Sequence, residues 1–220
     1  MPVKSKAWTW DPQTEERRWQ EPAPEAYYLA ERWRAQGRRR MLDLGCGLGR
    51  HALFFAGQGF DVDAFDLSED GIAALDQAAE GRQLAVRTRV GDMLALPYEA
   101  GAFDCLVAFH AIYHTDQAGL EQVIAEIRRV LVPGGELFVT FNSIRNPSFS
   151  QATNENLGPY TIRPTEGREA GIPHTYVDTA EIRRLLAGFE FVSFTQMEEI
   201  WSDHSSWHYY VLACQIGGGG

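Results

Sequence analysis

The residues best placed to do chemistry in this 220-residue chain are the alternating glycines of Gly45-Cys46-Gly47-Leu48-Gly49. They follow the apolar stretch Met41-Leu42-Asp43-Leu44 and lead through Arg50 into an amphipathic helical pattern. Such a turn lets a ligand lie directly on the backbone, because glycine has no Cβ and tolerates positive φ. The helix start behind it adds N–H groups and the positive end of a dipole. A dinucleotide cradle is spaced Gly-x-Gly-x-x-Gly, which puts its third glycine at position 50, and that position is Arg50. No Gly-Lys-Ser/Thr follows, so the phosphate-loop pattern fails too. Taken alone, the three glycines also fit plain loop punctuation.

Two acids extend the pattern. Phe60 to Asp66 reads as a second strand, with Asp66 near the roughly 20-residue offset at which a carboxylate meets a ribose hydroxyl pair. A carboxylate suits vicinal hydroxyls because it accepts two hydrogen bonds at once. Ser68, followed by Glu69 and Asp70, fills the helix-cap role and leaves Asp66 available for a ligand. Val86 to Val90 reads as a third strand, followed by Gly91-Asp92-Met93. There Asp92 is suited to accept from an exocyclic amino group, although Gly-Asp is also an ordinary turn pair.

The histidines form a second group. His110, His114, His174, His204 and His208 lie in segments that reach the far side of such a site, and Tyr113 and Trp201 lie beside them in sequence. A histidine near neutral pKa serves as base for an O–H or N–H acceptor, and His114 is the candidate for that role. His110/His114 and His204/His208 share the i,i+4 spacing that holds a metal on a helix. The first pair falls in an expected loop and neither has cysteine or acidic partners arranged around it, so no metal is assigned.

The elements that must position these residues alternate strand and helix. Ala102 to Phe109 is a nearly continuous apolar run of the buried parallel kind. Ile72, Leu75 and Ala79 mark one helix face, and Leu120, Val123, Ile124, Ile127, Val130 and Leu131 another. Asp178 and Glu181 make a capping box for a helix carrying Ile182, Leu185 and Leu186. Strands at Phe189 to Gln196 and Trp207 to Gln215 follow, joined by a long 196–207 connection. The pattern predicts a mostly parallel sheet with right-handed crossovers.

Five ordered pieces together resemble the class I S-adenosylmethionine-dependent methyltransferases. They are Leu42 to Gly49, Asp66-Leu67-Ser68, Gly91-Asp92-Met93, Phe103 to Val107, and the helix Glu126 to Leu131 that ends at Pro133-Gly134-Gly135. They span residues 39 to 142. The stretch Ile172 to Tyr176 with Trp207-His208 is similar to small-molecule methyltransferases of the tellurite-resistance type. The resemblance implies a Rossmann-like α/β fold: a seven-stranded, mostly parallel sheet with helices on both faces and an antiparallel last strand.

The resemblance also implies S-adenosyl-L-methionine as cofactor. Gly45, Cys46, Gly47 and Gly49 would line the methionine moiety, and Asp43 would orient the turn or the amino group. Asp66 would hold the ribose, Asp92 and Met93 the adenine, and Leu67 the purine face. The Phe109 carbonyl would face the ammonium, and Arg50 would meet the methionine carboxylate or point to solvent. His110, Tyr113, His174, Trp201, His204 and His208 would contact a small-molecule acceptor. Expected segments are an aromatic lid and helix at 1–37, the main domain at 38–216 with a substrate or lid insertion at 143–176, and a flexible tail at 217–220. The aromatics Trp8, Trp10, Trp19, Tyr27 and Tyr28 either form that lid or anchor the first helix.

Composition narrows the partners. The net charge of −10 argues against nucleic acid or an anionic membrane surface. No run of 18 apolar residues suggests a membrane span, and the first 20 residues lack a signal-peptide core. Cys46, Cys105 and Cys214 do not form a paired framework, which fits a reducing cytoplasm. Arg145, Arg163 and Arg168 in the insertion either draw in an acidic substrate or balance an acidic surface. Three functions remain open: a small-molecule methyltransferase, a binding module for the same cofactor without transfer, and an NAD(P)-dependent oxidoreductase weakened by Arg50.

Overall fold

The computed structural model describes residues 6–10, 19–200 and 205–217. The chain runs α1 (Pro24–Ala35), β1 (Arg40–Leu44), α2 (Arg50–Gly57), β2 (Asp61–Asp66), α3 (Glu69–Gly81), β3 (Val86–Val90) and β4 (Phe103–Ala108). It continues with α4 (Gln117–Val130), β5 (Leu131–Ser143), a 3-10 turn (Pro147–Ser150), β6 (Asn154–Gly158), β7 (Thr161–Pro164) and β8 (His174–Val177). It closes with α5 (Thr179–Leu185), β9 (Phe189–Ile200) and β10 (Ser205–Gln215).

Strands β3, β2, β1, β4 and β5 lie side by side in that order, all parallel. Strand β10 pairs antiparallel with β5 and with β9, completing the expected seven strands and the expected antiparallel last one. Alternate residues of each strand face opposite layers, as the two-residue period of a strand requires. Leu42, Leu44, Leu106 and Val139 pack under α4 and α5, whereas Met41, Val62, Cys105 and Val107 pack under α1, α2 and α3. Burial on both faces explains why β1 and β4 read as continuous apolar runs.

Local chemistry sets the helix starts. Ser68 Oγ accepts from the Gly71 N–H at α3 and Asp116 Oδ1 from the Gly119 N–H at α4. Asp178 caps α5 through the Glu181 N–H at 2.8 Å. The expected capping box is half made, because the Glu181 carboxylate turns to Arg184 and Gln117 instead.

Two expectations change. The 143–176 insertion, expected as a substrate or lid segment, contains regular structure: β6, β7 and β8 form an antiparallel ladder whose last strand runs parallel to the end of β5, Asn142 facing Tyr176. These three strands raise the sheet to ten. The long 196–207 connection is also absent, because β9 runs to Ile200 and β10 starts at Ser205. Helix α1 is anchored to the body by Trp33, whose indole N–H donates to Glu136 at 2.8 Å, while Arg32 donates to the same carboxylate. Glu136 is 2 % exposed, and these donors hold its carboxyl below the usual range.

Candidate active site

Parallel strands present their C-terminal ends along one edge, and there the turns after β1, β2 and β3 converge. At the first, Gly45 has φ +72 and a Cβ on it would stand 2.2 Å from the Ala111 Cβ. Only glycine fits between the two turns. The N–H groups of Gly45 and Cys46 both reach the Phe65 carbonyl, at 2.7 and 3.2 Å. The Gly47 N–H is taken by Asp66 Oδ2 and the Ser68 N–H by Asp66 Oδ1, each at 2.8 Å. Asp66 is therefore already bonded to two backbone donors, contrary to the expectation of a free carboxylate. Each oxygen keeps a lone pair for a further donor. Burial raises the Asp66 carboxyl above the usual range, against the pull of these N–H groups.

Gly45, Cys46, Gly47, Arg50, Asp66, Leu67, Asp92, Met93 and Phe109 line one cavity of about 1000 Å³. Asp43 and Gly49 stand behind its wall. Asp43, 1 % exposed, accepts the Ala52 N–H at 2.9 Å and so fixes α2 to β1. Its burial lifts its pKa to about 7. Gly49 caps α2 at φ +77, and a Cβ on it would stand 2.2 Å from the Leu75 side chain. Asp92 accepts the Leu94 N–H at 3.0 Å and closes its own turn. The Arg50 guanidinium is not in open solvent; it lies 5.1 Å from the Trp19 ring centre and 5.0 Å from that of Phe109.

Lys6, Ala7, Trp8, Trp10 and Trp19 also line this cavity. The Trp8 carbonyl accepts from Ser68 Oγ at 2.7 Å, Trp8 stacks on Trp10 at 5.8 Å, and Trp10 lies over Gly47. Arg168 covers both indoles at 5.3 and 5.5 Å. Tyr27 and Tyr28 take no part: both sit on the exposed face of α1, with Tyr27 against Phe54.

A second, wider cleft of about 2050 Å³ adjoins the first, and Trp19, Arg50, Phe109, His110, Tyr113, His114 and Glu169 line both. His174 and His208 also face it, so four of the six expected acceptor residues come together; Trp201 and His204 lie outside the described residues. His114 packs between Trp8 at 5.6 Å and His174 at 4.9 Å. Burial holds His110 and His114 well below the ordinary histidine value, each helped by a neighbouring histidine. His174 is lowered by burial as well, against the Glu169 carboxylate 3.3 Å away. His110 has φ +53, unusual for a residue with a Cβ, and donates its N–H to Thr140 Oγ1 at 2.6 Å. Strain of this kind collects at functional sites.

Sequence reading missed Asn142, Asn146, Ser148, Tyr176, Glu199 and Tyr210 on the cleft wall. They sit on β5, β8, β9, β10 and the 3-10 turn, and only strand pairing joins them. The three insertion arginines do not line the cleft: Arg145 stacks on Trp207, Arg163 pairs with Glu155, and Arg168 covers the indoles.

A methyltransferase domain model matches residues 41–135. The chain is 38 % identical over 103 residues to the demethylmenaquinone methyltransferase of Thermus thermophilus, covering 46 % of either chain. It superposes with a TM-score of 0.71 on a SAM-dependent methyltransferase from Methanosarcina mazei, at 21 % identity over 89 % of this chain and 99 % of that one. TehB from Haemophilus influenzae superposes with a TM-score of 0.67 at 16 % identity, over 88 % of this chain and 62 % of that one. The chain spans about half the length, or less, of the curated relatives it matches.

Proposed function

We propose that this chain, which belongs to the class I S-adenosylmethionine-dependent methyltransferases, moves a methyl group from that cofactor to a small-molecule acceptor in the histidine-lined cleft. The observation that carries the reading is the shared wall. Arg50, Phe109, His110, Tyr113 and His114 line both the glycine-turn cavity and the cleft, so donor and acceptor would meet across them.

The residues of the first cavity fit the cofactor. Gly45, Cys46 and Gly47 line the cavity, and the Asp66 carboxylate has lone pairs left for a ribose hydroxyl pair. When bound, the cofactor supplies an electrophilic methyl group on a sulfonium, and the rest is positioning. Asp92 and Met93 serve the adenine end, and Arg50 with the Phe109 backbone serves the methionine end. Trp8 and Trp10 exclude water from above. Holding the reactants at near-attack distance is worth up to several kcal/mol.

His114 is the proposed base. Its depressed pKa keeps it neutral at pH 7, ready to take a proton from an O–H or N–H acceptor. The cleft wall carries Glu21, Glu25, Glu169 and Glu199 against Arg50, so its field favours a neutral or cationic acceptor over an anionic one. A reducing cytoplasm suits the three free cysteines. None of the described helices is long and apolar enough to cross a membrane.

S-adenosylhomocysteine is expected to raise the melting temperature while NAD(H) leaves it unchanged; the reverse result overturns the reading. Labelled donor is then incubated with amine, phenol and carboxylate panels. Transfer to the first two classes supports the assignment. Binding of the homocysteine product without transfer to any panel member assigns the chain to cofactor-binding modules instead.

A further inference from the structure

We propose that His110, Glu199 and His208 form a binding site for one divalent transition-metal ion in the wall of the cleft. The nitrogen and oxygen atoms that these three side chains offer lie within 4.8 Å of one another. The set takes one histidine from each of the two i,i+4 pairs and joins them to a carboxylate that no sequence spacing links to either.

Strand register builds it. Glu199 of β9 faces Ser206 of β10, and His208 lies two residues further along β10, on the same face of the ribbon as Ser206. A diagonal pair of this kind brings long side chains together. His110 arrives from the end of β4, held by its backbone bond to Thr140, and its ring meets that of His208 edge to face at 4.4 Å.

The buried nitrogen of His208 points to a ligand. His208 is 7 % exposed, and its Nδ1 stands 3.1 Å from Glu199 Oε2. Yet this nitrogen completes no hydrogen bond of ordinary geometry among the described residues. A buried polar atom in that state carries a desolvation cost that a partner removes. A cation between the nitrogen and the carboxylate supplies that partner to the His208 nitrogen.

Supporting contacts are in place as well. Tyr113 Oη lies 3.0 Å from His110 Nδ1, which fixes the ring and leaves Nε2 for coordination. Tyr210 Oη donates to Glu199 Oε1 at 3.3 Å. Partners of this kind orient metal ligands and raise their affinity. Two imidazoles and one carboxylate are a borderline donor set, suited to Zn2+, Co2+ or Fe2+. Tetrahedral ligation at about 2.1 Å separates ligand atoms by about 3.4 Å, so the cluster contracts modestly on binding. Three protein ligands leave a coordination position open to the cleft. If the methyl-transfer reading holds, an acceptor oxygen or nitrogen occupies that position and is made more acidic there.

The test is a calorimetric titration of chelator-treated protein with Zn2+, alongside a titration with S-adenosylhomocysteine that reads the donor cavity separately. One equivalent of Zn2+ is expected to bind. His208→Ala and Glu199→Ala should each weaken that binding at least about a hundredfold while leaving S-adenosylhomocysteine affinity within about twofold. Absence of Zn2+ binding in the wild-type chain, or equal binding by the double variant, overturns the site. Should the variants fail to fold, Co2+ added to the wild-type chain decides. Visible bands of a nitrogen- and oxygen-ligated ion support the site, and sulfur-to-metal charge transfer, which would place the ion at a cysteine, overturns it.

Discussion

Between Leu44 and Met93 three turns at parallel strand ends supply most of the glycine-turn cavity, and their backbones are tied to one another through Phe65 and Asp66. The cleft beside it is gathered from the segment after Trp19, the turn after β4, the end of β5, the insertion, β9 and β10. The first wall is mostly backbone and small residues; the second is side chains of histidine, tyrosine and glutamate. A wall of backbone tolerates little change, because a Cβ added at Gly45, Gly47 or Gly91 meets Ala111, Trp10 or Phe65. A wall of side chains on several elements can change its specificity one residue at a time. The two also titrate in opposite senses. Asp43 and Asp66, at the glycine turn, have raised pKa values, whereas His110, His114 and His174, around the cleft, have lowered ones.

Gly45→Ala should break the first wall most severely. The new Cβ meets Ala111 at 2.2 Å in a left-handed backbone. Strain and overpacking together predict a loss of about 2–4 kcal/mol in stability, read by thermal denaturation, and S-adenosylhomocysteine binding below detection by calorimetry. Binding that survives would mean the turn is not the cradle. Asp66→Ala comes next: losing a charged acceptor predicts at least a tenfold drop in S-adenosylhomocysteine affinity, at roughly 1.5–3 kcal/mol per charged bond. Unchanged affinity would remove the ribose role.

The opposite titrations make a milder contrast. A raised carboxyl such as Asp43 contributes stability that is full below pH 4 and is lost as pH rises through about 7. A lowered histidine such as His114 contributes stability that is present above about pH 6.5 and lost as pH falls. Asp43→Asn should therefore flatten the neutral limb of the stability curve, and His114→Gln the acid limb. Melting curves from pH 4 to 8 check both, and parallel curves for either variant would contradict the assignment. The smallest effect is expected at Arg163→Ala, which removes a surface pair with Glu155 at 2.7 Å. Stability should change by less than about 1 kcal/mol, with S-adenosylhomocysteine affinity unaltered in calorimetry.

The two walls were unequally legible before folding. Asp66 could be placed because the glycine turn and the second strand end sit within one βα unit, where sequence distance and spatial distance are coupled. Its prior engagement with Gly47 and Ser68 was not legible, since it depends on how closely two turns approach. The histidines stood out by type, but the spacing rule paired His110 with His114 and His204 with His208. Folding instead sets His110 against His208 and His114 against His174. Glu199 was invisible because its role follows from the register of β9 on β10. The insertion read as a loop because its strands are only four or five residues long and rich in proline, glycine and polar residues.

The sequence by itself determined the strand–helix alternation, the glycine turn, the acid after β2 and thus the kind of ligand that fits there. Those features are local, written in residues within one turn, one strand or one unit of each other. Tertiary structure alone decided that the N-terminal indoles lie over the turn, that the insertion pairs with the end of β5, and that two histidines and a glutamate meet. Those contacts join segments from different elements of the chain, and their geometry comes from sheet order and register, which no spacing along the chain encodes.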